Sequence, residues 1–191
     1  MATSTRQLGV ELFGRESRFE YSEHWLGYAL VALRVLMGWT LLQGGITKLV
    51  TYLDANPGND WTAAGFLNNA IPAGNPLTGV WSAMAGVPMV DMLVMWGLTL
   101  TGLGLVVGAF VRWNAFWGAV MMLFFWAASL QGGLMAGLPL ANGWVVDSHI
   151  VYAVLLFGLG AVGAGRLLGV DEYLESLGFV QSNPWARYLL G

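Results

Sequence analysis

Two basic residues sit inside an apolar stretch. From Trp25 to Val50 the chain reads W-L-G-Y-A-L-V-A-L-R-V-L-M-G-W-T-L-L-Q-G-G-I-T-K-L-V, interrupted by Arg34 and Lys48. A charge in hydrocarbon costs about 2.5–3.5 kcal/mol on insertion scales, so it turns toward protein or a cavity. The pair stands 14 positions apart. That spacing winds a helix through about 1400°, ~40° short of four turns. Arg34, Gly38, Leu41, Gly45 and Lys48 therefore share one stripe, which other elements must answer. The candidates are Asp91 and the run Asp147-Ser148-His149. Lys48 with Asp91 or Asp147 forms a neutral pair, and His149 can relay a proton near pH 7. Gln43 and Thr47 add hydrogen-bonding groups. Arg34 has no acidic partner on the apolar stretches. It is left to snorkel, to cap backbone carbonyls, or to bind an anionic or carbonyl-bearing ligand. The plainer reading makes Asp91 and Asp147 solvated helix-start residues that suit the dipole, with Lys48 snorkelling outward.

Other chemistries lack their residues. The chain has no Cys, which excludes disulfides, thiolate catalysis and iron–sulfur ligation on this chain. Haem needs two facing His, whereas His24 and His149 are expected at opposite membrane faces. A metal site of His149, Asp147 and Asp91 has no motif spacing behind it, so none is expected. The net charge of −3 argues against nucleic acid as a partner.

The elements that must position these groups read as membrane spans. Of 191 residues, 57% are hydrophobic and only 10% charged, against about 25% charged in a soluble domain. With ten Trp and 27 Gly, this is the composition of a polytopic membrane protein whose partner is the lipid bilayer. The expected fold is all-α, a four-transmembrane-helix bundle over residues 25–166. Its spans are placed at about 25–50, 90–111, 113–131 and 147–165. The first covers 26 residues, about 39 Å of helix. Residues 1–24 read as a polar N-terminal segment, a short surface helix or loop, with no apolar core for a cleavable signal. Residues 51–89 form a long loop in which Pro57, Pro72, Pro76 and Pro88 oppose a straight span. Trp61, Phe66, Leu67, Ile71 and Trp81 predict short interfacial or re-entrant helices there, in position for a lid over the outer mouth of the bundle. Gly97, Thr101, Gly104 and Gly108 predict a close-packing face, Gly104 and Gly108 as G-x-x-x-G. Residues 167–191 read as an amphipathic tail on the membrane surface. Arg6, Arg15, Arg18, Arg112, Arg166 and Arg187 all fall on one side of four spans. The positive-inside rule then predicts a multi-pass cell-membrane protein with both termini cytoplasmic. Trp113 and Trp117 fall near the inner interface and Trp144 near the outer one. Lys48, Asp91, Asp147 and His149 share the outer level, with Asp91, Asp147 and His149 as the candidates for handling protons.

Three stretches carry a resemblance. They are L-R-V-L-M-G-W-T-L-L-Q-G-G-I-T-K-L in the first span, G-A-F-V-R-W-N-A at the second hairpin, and G-A-G-R-L-L-G-V-D after the fourth. In this order they resemble the DoxX/DoxD family of small four-span membrane proteins. The family's early Arg and Lys fall on Arg34 and Lys48, its acidic residue on Asp91, and its terminal motif on Gly163, Gly165, Arg166 and Asp171. The resemblance implies a membrane subunit of a quinone-linked redox system, in the DoxD branch a thiosulfate:quinone oxidoreductase working with a second subunit. Quinone is then the implied cofactor, with Arg34, Gln43 and Lys48 as its binding residues. Its pocket should be apolar and aromatic, with Trp39, Trp96 and Phe125 as candidate walls. The rival class is a non-enzymatic scaffold in a larger complex or homo-oligomer, which the lack of any redox group on the chain favours.

Overall fold

The structure is a computed structural model that describes residues 5–53, 56–133, 136–139 and 143–191. It opens with a correction. Residues 5–22 are neither helix nor loop but an antiparallel hairpin, β1 (Thr5–Leu12) and β2 (Arg15–Ser22), so the fold is not all-α. Phe13 and Gly14 both take positive φ, 52° and 75°. A two-residue turn of that kind matches the twist of the strands it joins. The alternation Leu8, Val10, Leu12 puts apolar side chains on one face and Gln7, Gly9, Glu11 on the other.

The rest of the described chain is mostly helical. Four long helices dominate: α1 (Glu23–Leu49), α4 (Pro88–Val107), α5 (Val111–Ala128) and α6 (Ser148–Ala161). Between α1 and α4 lie α2 (Ala64–Asn69) and α3 (Thr78–Met84). After α6 come α7 (Val170–Glu175), α8 (Gly178–Ser182) and α9 (Pro184–Arg187). Two helices are long and apolar enough to cross a membrane, α1 with its short 3-10 extension to Leu53, and α4. The other two expected spans fall short of that measure. α5 carries Arg112, Asn114 and three tryptophans, and α6 has only 14 residues, about 21 Å of helix against ~30 Å of hydrocarbon.

Close approaches fix the packing. Gly38 on α1 lies against Gly102 and Val106 of α4, while Gly45 lies against Thr99. These pairs run in opposite directions, so α1 and α4 are antiparallel. The same holds for α4 with α5 (Gly97 near Met121, Gly104 near Asn114) and for α5 with α6 (Ala115 near Gly160, Gly118 near Leu156). The stripe on α1 faces protein as its charges required: Arg34, Gly38, Leu41 and Gly45 are buried. The glycine face of α4 is arranged otherwise than its spacing suggests. Gly102 makes the close contact with α1. Gly104 makes room for the Asn114 side chain, and Gly108 ends α4 in the left-handed conformation at φ 73°. The core joins Met37 and Leu41, Leu98 and Leu105, Met122, and Leu156 and Leu159 across all four helices.

At the Arg34 end the tail packs against the bundle. Asp171 is completely buried. Its carboxylate accepts from the amides of Phe110 (2.6 Å) and Val111 (2.9 Å), capping α5, and from Gly191 (2.9 Å). Val180, Ala186 and Leu190 form a small core of their own.

Candidate functional site

At the Lys48 end a cavity of about 720 Å³ opens between α4 and α5, roofed by α2 and α3. Aromatic side chains make much of its wall: Trp61, Phe66, Trp81, Trp117, Phe124 and Phe125. Polar groups are few. Besides the indole N–H groups, the lining carries Lys48, Thr101, Ser129 and His149, of which Lys48 and His149 are ionisable. The lining follows α4 from Val90 to Thr101 and α5 from Trp117 to Ser129. Each run is about 17 Å of helix, so the cavity is an elongated slot. Leu93, Trp117 and Phe124 on its walls are largely exposed, which leaves the slot open sideways between α4 and α5.

His149 is held for use. Asp147 caps α6, its Oδ1 accepting from the amides of His149 (2.9 Å) and Ile150 (3.1 Å). The capping arrangement follows from the residue type, since Asp is among the strongest N-caps. The other oxygen, Oδ2, lies 2.6 Å from His149 Nδ1. An ionised carboxylate would only accept, which would place a hydrogen on Nδ1 and turn the contact into a donated hydrogen bond. Phe125 packs edge-on against the imidazole at 5.9 Å between centroids. The carboxylate thus sets the orientation of the imidazole.

Lys48 is the other ionisable side chain of the lining. Its ammonium donates to Gly44 O at 2.9 Å and stands 5.2 Å from the centre of the Trp61 ring. Among the described residues no carboxylate pairs with it, and the expected bridges to Asp91 and Asp147 do not form. Lys48 therefore presents a cation to an aromatic, apolar cavity with hydrogen-bonding capacity to spare.

Two buried side chains hang the roof. Asp91, 8% exposed, accepts from the Ala63 amide at 2.7 Å and pins the chain entering α2 to α4. Asn75, 5% exposed, reaches the end of α5. Its Nδ2 donates to the carbonyls of Ala127 (2.9 Å), Ala128 (3.1 Å) and Leu130 (2.9 Å). Its Oδ1 accepts from Leu77 N (2.9 Å) and Trp81 Nε1 (3.0 Å). The last carbonyls of a helix have no partner within it, and Asn75 supplies one from another segment.

The six expected site residues thus divide. Lys48 and His149 line the cavity, Asp147 holds His149, and Asp91 holds the roof. Gln43 is on an exposed face of α1 and does not line the cavity. Arg34 lies about 21 Å of helix from Lys48. Its Nη1 donates to the carbonyls of Ala164 (2.6 Å) and Leu167 (3.0 Å), and its Nη2 to Leu168 (3.3 Å). Capping carbonyls, one of its three open outlets, is what it does here. Among the expected walls Phe125 lines the cavity, while Trp39 and Trp96 are exposed on the outside of the bundle. Asn75 and Trp61 complete the site without having been singled out by spacing or charge. The N-P pair at Asn75-Pro76 is a turn signal, and only the fold aims its amide at α5. Among the described residues no group of three or more His, Asp or Glu gathers as a metal site.

A second depression, of about 510 Å³, lies near the α4–α5 corner at the other end. Its lining is apolar apart from Asn114, whose Nδ2 is spent on Ala109 O at 2.8 Å. It offers a ligand no ionisable side chain. No family model, no curated protein and no solved structure matches this chain.

Proposed function

We propose that this chain is a four-span membrane protein, with both termini cytoplasmic, that binds a quinone in the slot between α4 and α5. We propose further that it serves as the membrane subunit of a quinone-linked redox system of the thiosulfate:quinone oxidoreductase kind, its electrons arriving from a second subunit. The observation that carries the reading is the lining of the cavity. A flat ring needs apolar and aromatic walls with a few polar groups fixing its orientation, and Lys48 and His149 stand at one end of such walls. The motif resemblance around Arg34 to Lys48, Phe110 to Asn114 and Gly163 to Asp171 supports the same class.

The residues divide the work. A bound quinone would supply an acceptor for two electrons and two protons. Lys48 would hold a ring oxygen by a hydrogen bond and, as a cation, would favour negative charge there. His149, oriented by Asp147, would offer its other ring nitrogen to the ligand and could pass protons between the cavity and the rim. Asp91 and Asn75 keep the roof closed and water out. The sideways opening between α4 and α5 gives an apolar ligand a path from the bilayer. Four spans follow if α5 with its flanking residues and α6 with Gly163–Arg166 complete their crossing, which puts Arg112, Arg166 and Arg187 on the side of the hairpin. Arg34 stabilises the cytoplasmic end and touches no ligand.

The test is extraction and turnover. Protein purified in mild detergent should carry close to one quinone per chain, and Lys48→Met and His149→Phe should each lose it while the fold is kept. Thiosulfate-dependent reduction of a short-chain quinone by the protein with its co-purifying subunit should fall with the same variants. Quinone-free protein, with added quinone bound equally by wild type and both variants, would sink the proposal and favour a scaffold role.

A further inference from the structure

The β1–β2 hairpin has an apolar face that the bundle leaves uncovered. The register sets Leu8 opposite Phe19, Val10 opposite Ser17, and Arg6 opposite Tyr21. Directly opposed residues share a face, so Leu8, Val10, Leu12, Phe19 and Tyr21 lie together, with Arg6 and Arg15 at the two ends. Leu8, Leu12 and Phe19 are 44%, 59% and 50% exposed, and Phe13 at the turn stands fully in the open. An isolated two-stranded hairpin is marginal in water unless that face is packed on something. The start of α1 is its one substantial neighbour among the described residues.

The start of α1 says where this face lies. Arg34 is level with Gly108 at the end of α4, so the first turns of α1 reach beyond it. Trp25 and Tyr28 on those turns are 71% and 66% exposed and pack edge-on at 6.4 Å. Exposed Trp and Tyr at the start of an apolar helix mark the bilayer interface. Strand β2 ends at Ser22 and α1 begins at Glu23, so the base of the hairpin lies within about 5 Å of that level.

The charges are sorted in the same sense. Glu11, Glu16 and Glu20 are on the opposite face, where Gln7 bonds Glu20 and Arg18 bonds Glu16. On the apolar side Arg6 pairs with Glu23, and Arg15 makes no ion pair among the described residues. The side with the apolar residues is cationic and the other is anionic. Two copies packed through this face would bring like charges together, which disfavours that pairing. Anionic headgroups over hydrocarbon complement it on both counts.

We propose that the hairpin lies on the bilayer with Leu8, Leu12, Phe13 and Phe19 turned into it and Arg15 on anionic lipid headgroups. The chain has no cysteine, so Phe13→Cys gives a single site for an environment-sensitive dye. The full-length variant is reconstituted in phosphatidylcholine vesicles with and without phosphatidylglycerol. With phosphatidylglycerol the dye emission shifts to the blue, is quenched by spin-labelled lipid, and is shielded several-fold from aqueous iodide. Adding Arg15→Glu removes the dependence on phosphatidylglycerol. Iodide access that is equal in both vesicles overturns the proposal. So does shielding that follows protein density instead of lipid charge, which would assign the face to a second copy of the chain.

Discussion

Asn75→Ala should cost this protein more than any other single substitution in the roof. The side chain has two hydrogens for three carbonyls, those of Ala127, Ala128 and Leu130, so one hydrogen is shared. Its oxygen serves the buried Nε1 of Trp81 and the Leu77 amide. Truncation leaves the indole N–H and the end of α5 without partners in a poorly hydrated place. A net loss of about 0.5–1.5 kcal/mol per bond, plus ~1–3 kcal/mol for a buried group left unsatisfied, gives at least about 3 kcal/mol. For a chain of this length that lowers the Tm by roughly 6–12 °C. Trp81 also packs on Phe124 at 6.2 Å and forms part of the cavity wall, so ligand affinity should fall with stability. Asn75→Asp supplies the sign. It keeps the acceptor for Trp81 and Leu77 but turns a negative charge on three carbonyls, and should be worse than Ala. Thermal unfolding in detergent, followed by circular dichroism with and without added quinone, reads both effects. A Tm for Asn75→Ala within ~2 °C of wild type would refute the reasoning, as would an Asp variant more stable than the Ala one.

Arg34→Met should destabilise by about 3–5 kcal/mol through the loss of its bonds to three carbonyls, yet leave quinone bound in the fraction that folds; loss of ligand from a fully folded variant would show that Arg34 acts on the cavity. Gly102→Leu drives a side chain into the α1 backbone at Leu42 and should prevent the bundle from assembling, seen as aggregation on size exclusion, whereas Gly158→Leu, which meets open space, should not. At the tail, the hydrogen bond from Arg166 holds the Glu175 carboxyl below the usual carboxylate range. A depressed carboxylate contributes stability above its unfolded pKa and loses it as pH falls through the folded value. Glu175→Gln should therefore lower stability slightly at neutral pH and flatten its acid dependence, measured by chemical denaturation from pH 7 downward; an unchanged acid slope would count against the pair.

Parts of this arrangement are written locally and parts are not. A charge within an apolar run must face inward, so the stripe from Arg34 to Lys48 was legible before any fold was known. Helix order then brought Lys48 and His149 to one level, with Asp147 in range of the imidazole two residues away. The division of labour along the stripe was not legible, because the carbonyls that occupy Arg34 belong to residues 164–168 and become acceptors only where the chain leaves helix. The hairpin does register in the sequence. Leu8, Val10 and Leu12 alternate with Gln7, Gly9 and Glu11 ahead of Phe13-Gly14, a period-2 pattern that the dense charges of residues 1–24 obscure. Spacing alone pointed to Gly104 and Gly108 as the packing pair. Which glycine meets a neighbour depends on helix rotation, and that is set by the whole core. Asn75 shows the same limit, since a neutral residue in a loop becomes a structural anchor only through a helix end 52 positions away.

The cap on α5 places a constraint on the order of events during synthesis. The amides of Phe110 and Val111 are satisfied by Asp171, which lies 61 and 60 positions later in the chain. At ~5–20 residues per second the ribosome needs roughly 3–12 s to cover that distance. For all of that time the corner between α4 and α5 waits with open donors, and the Gly191 amide that shares the same carboxylate arrives later still. The two middle helices can form early, but their corner sets only when the tail has been delivered. Chains that stall within the tail should therefore be the form that quality-control proteases meet and recognise.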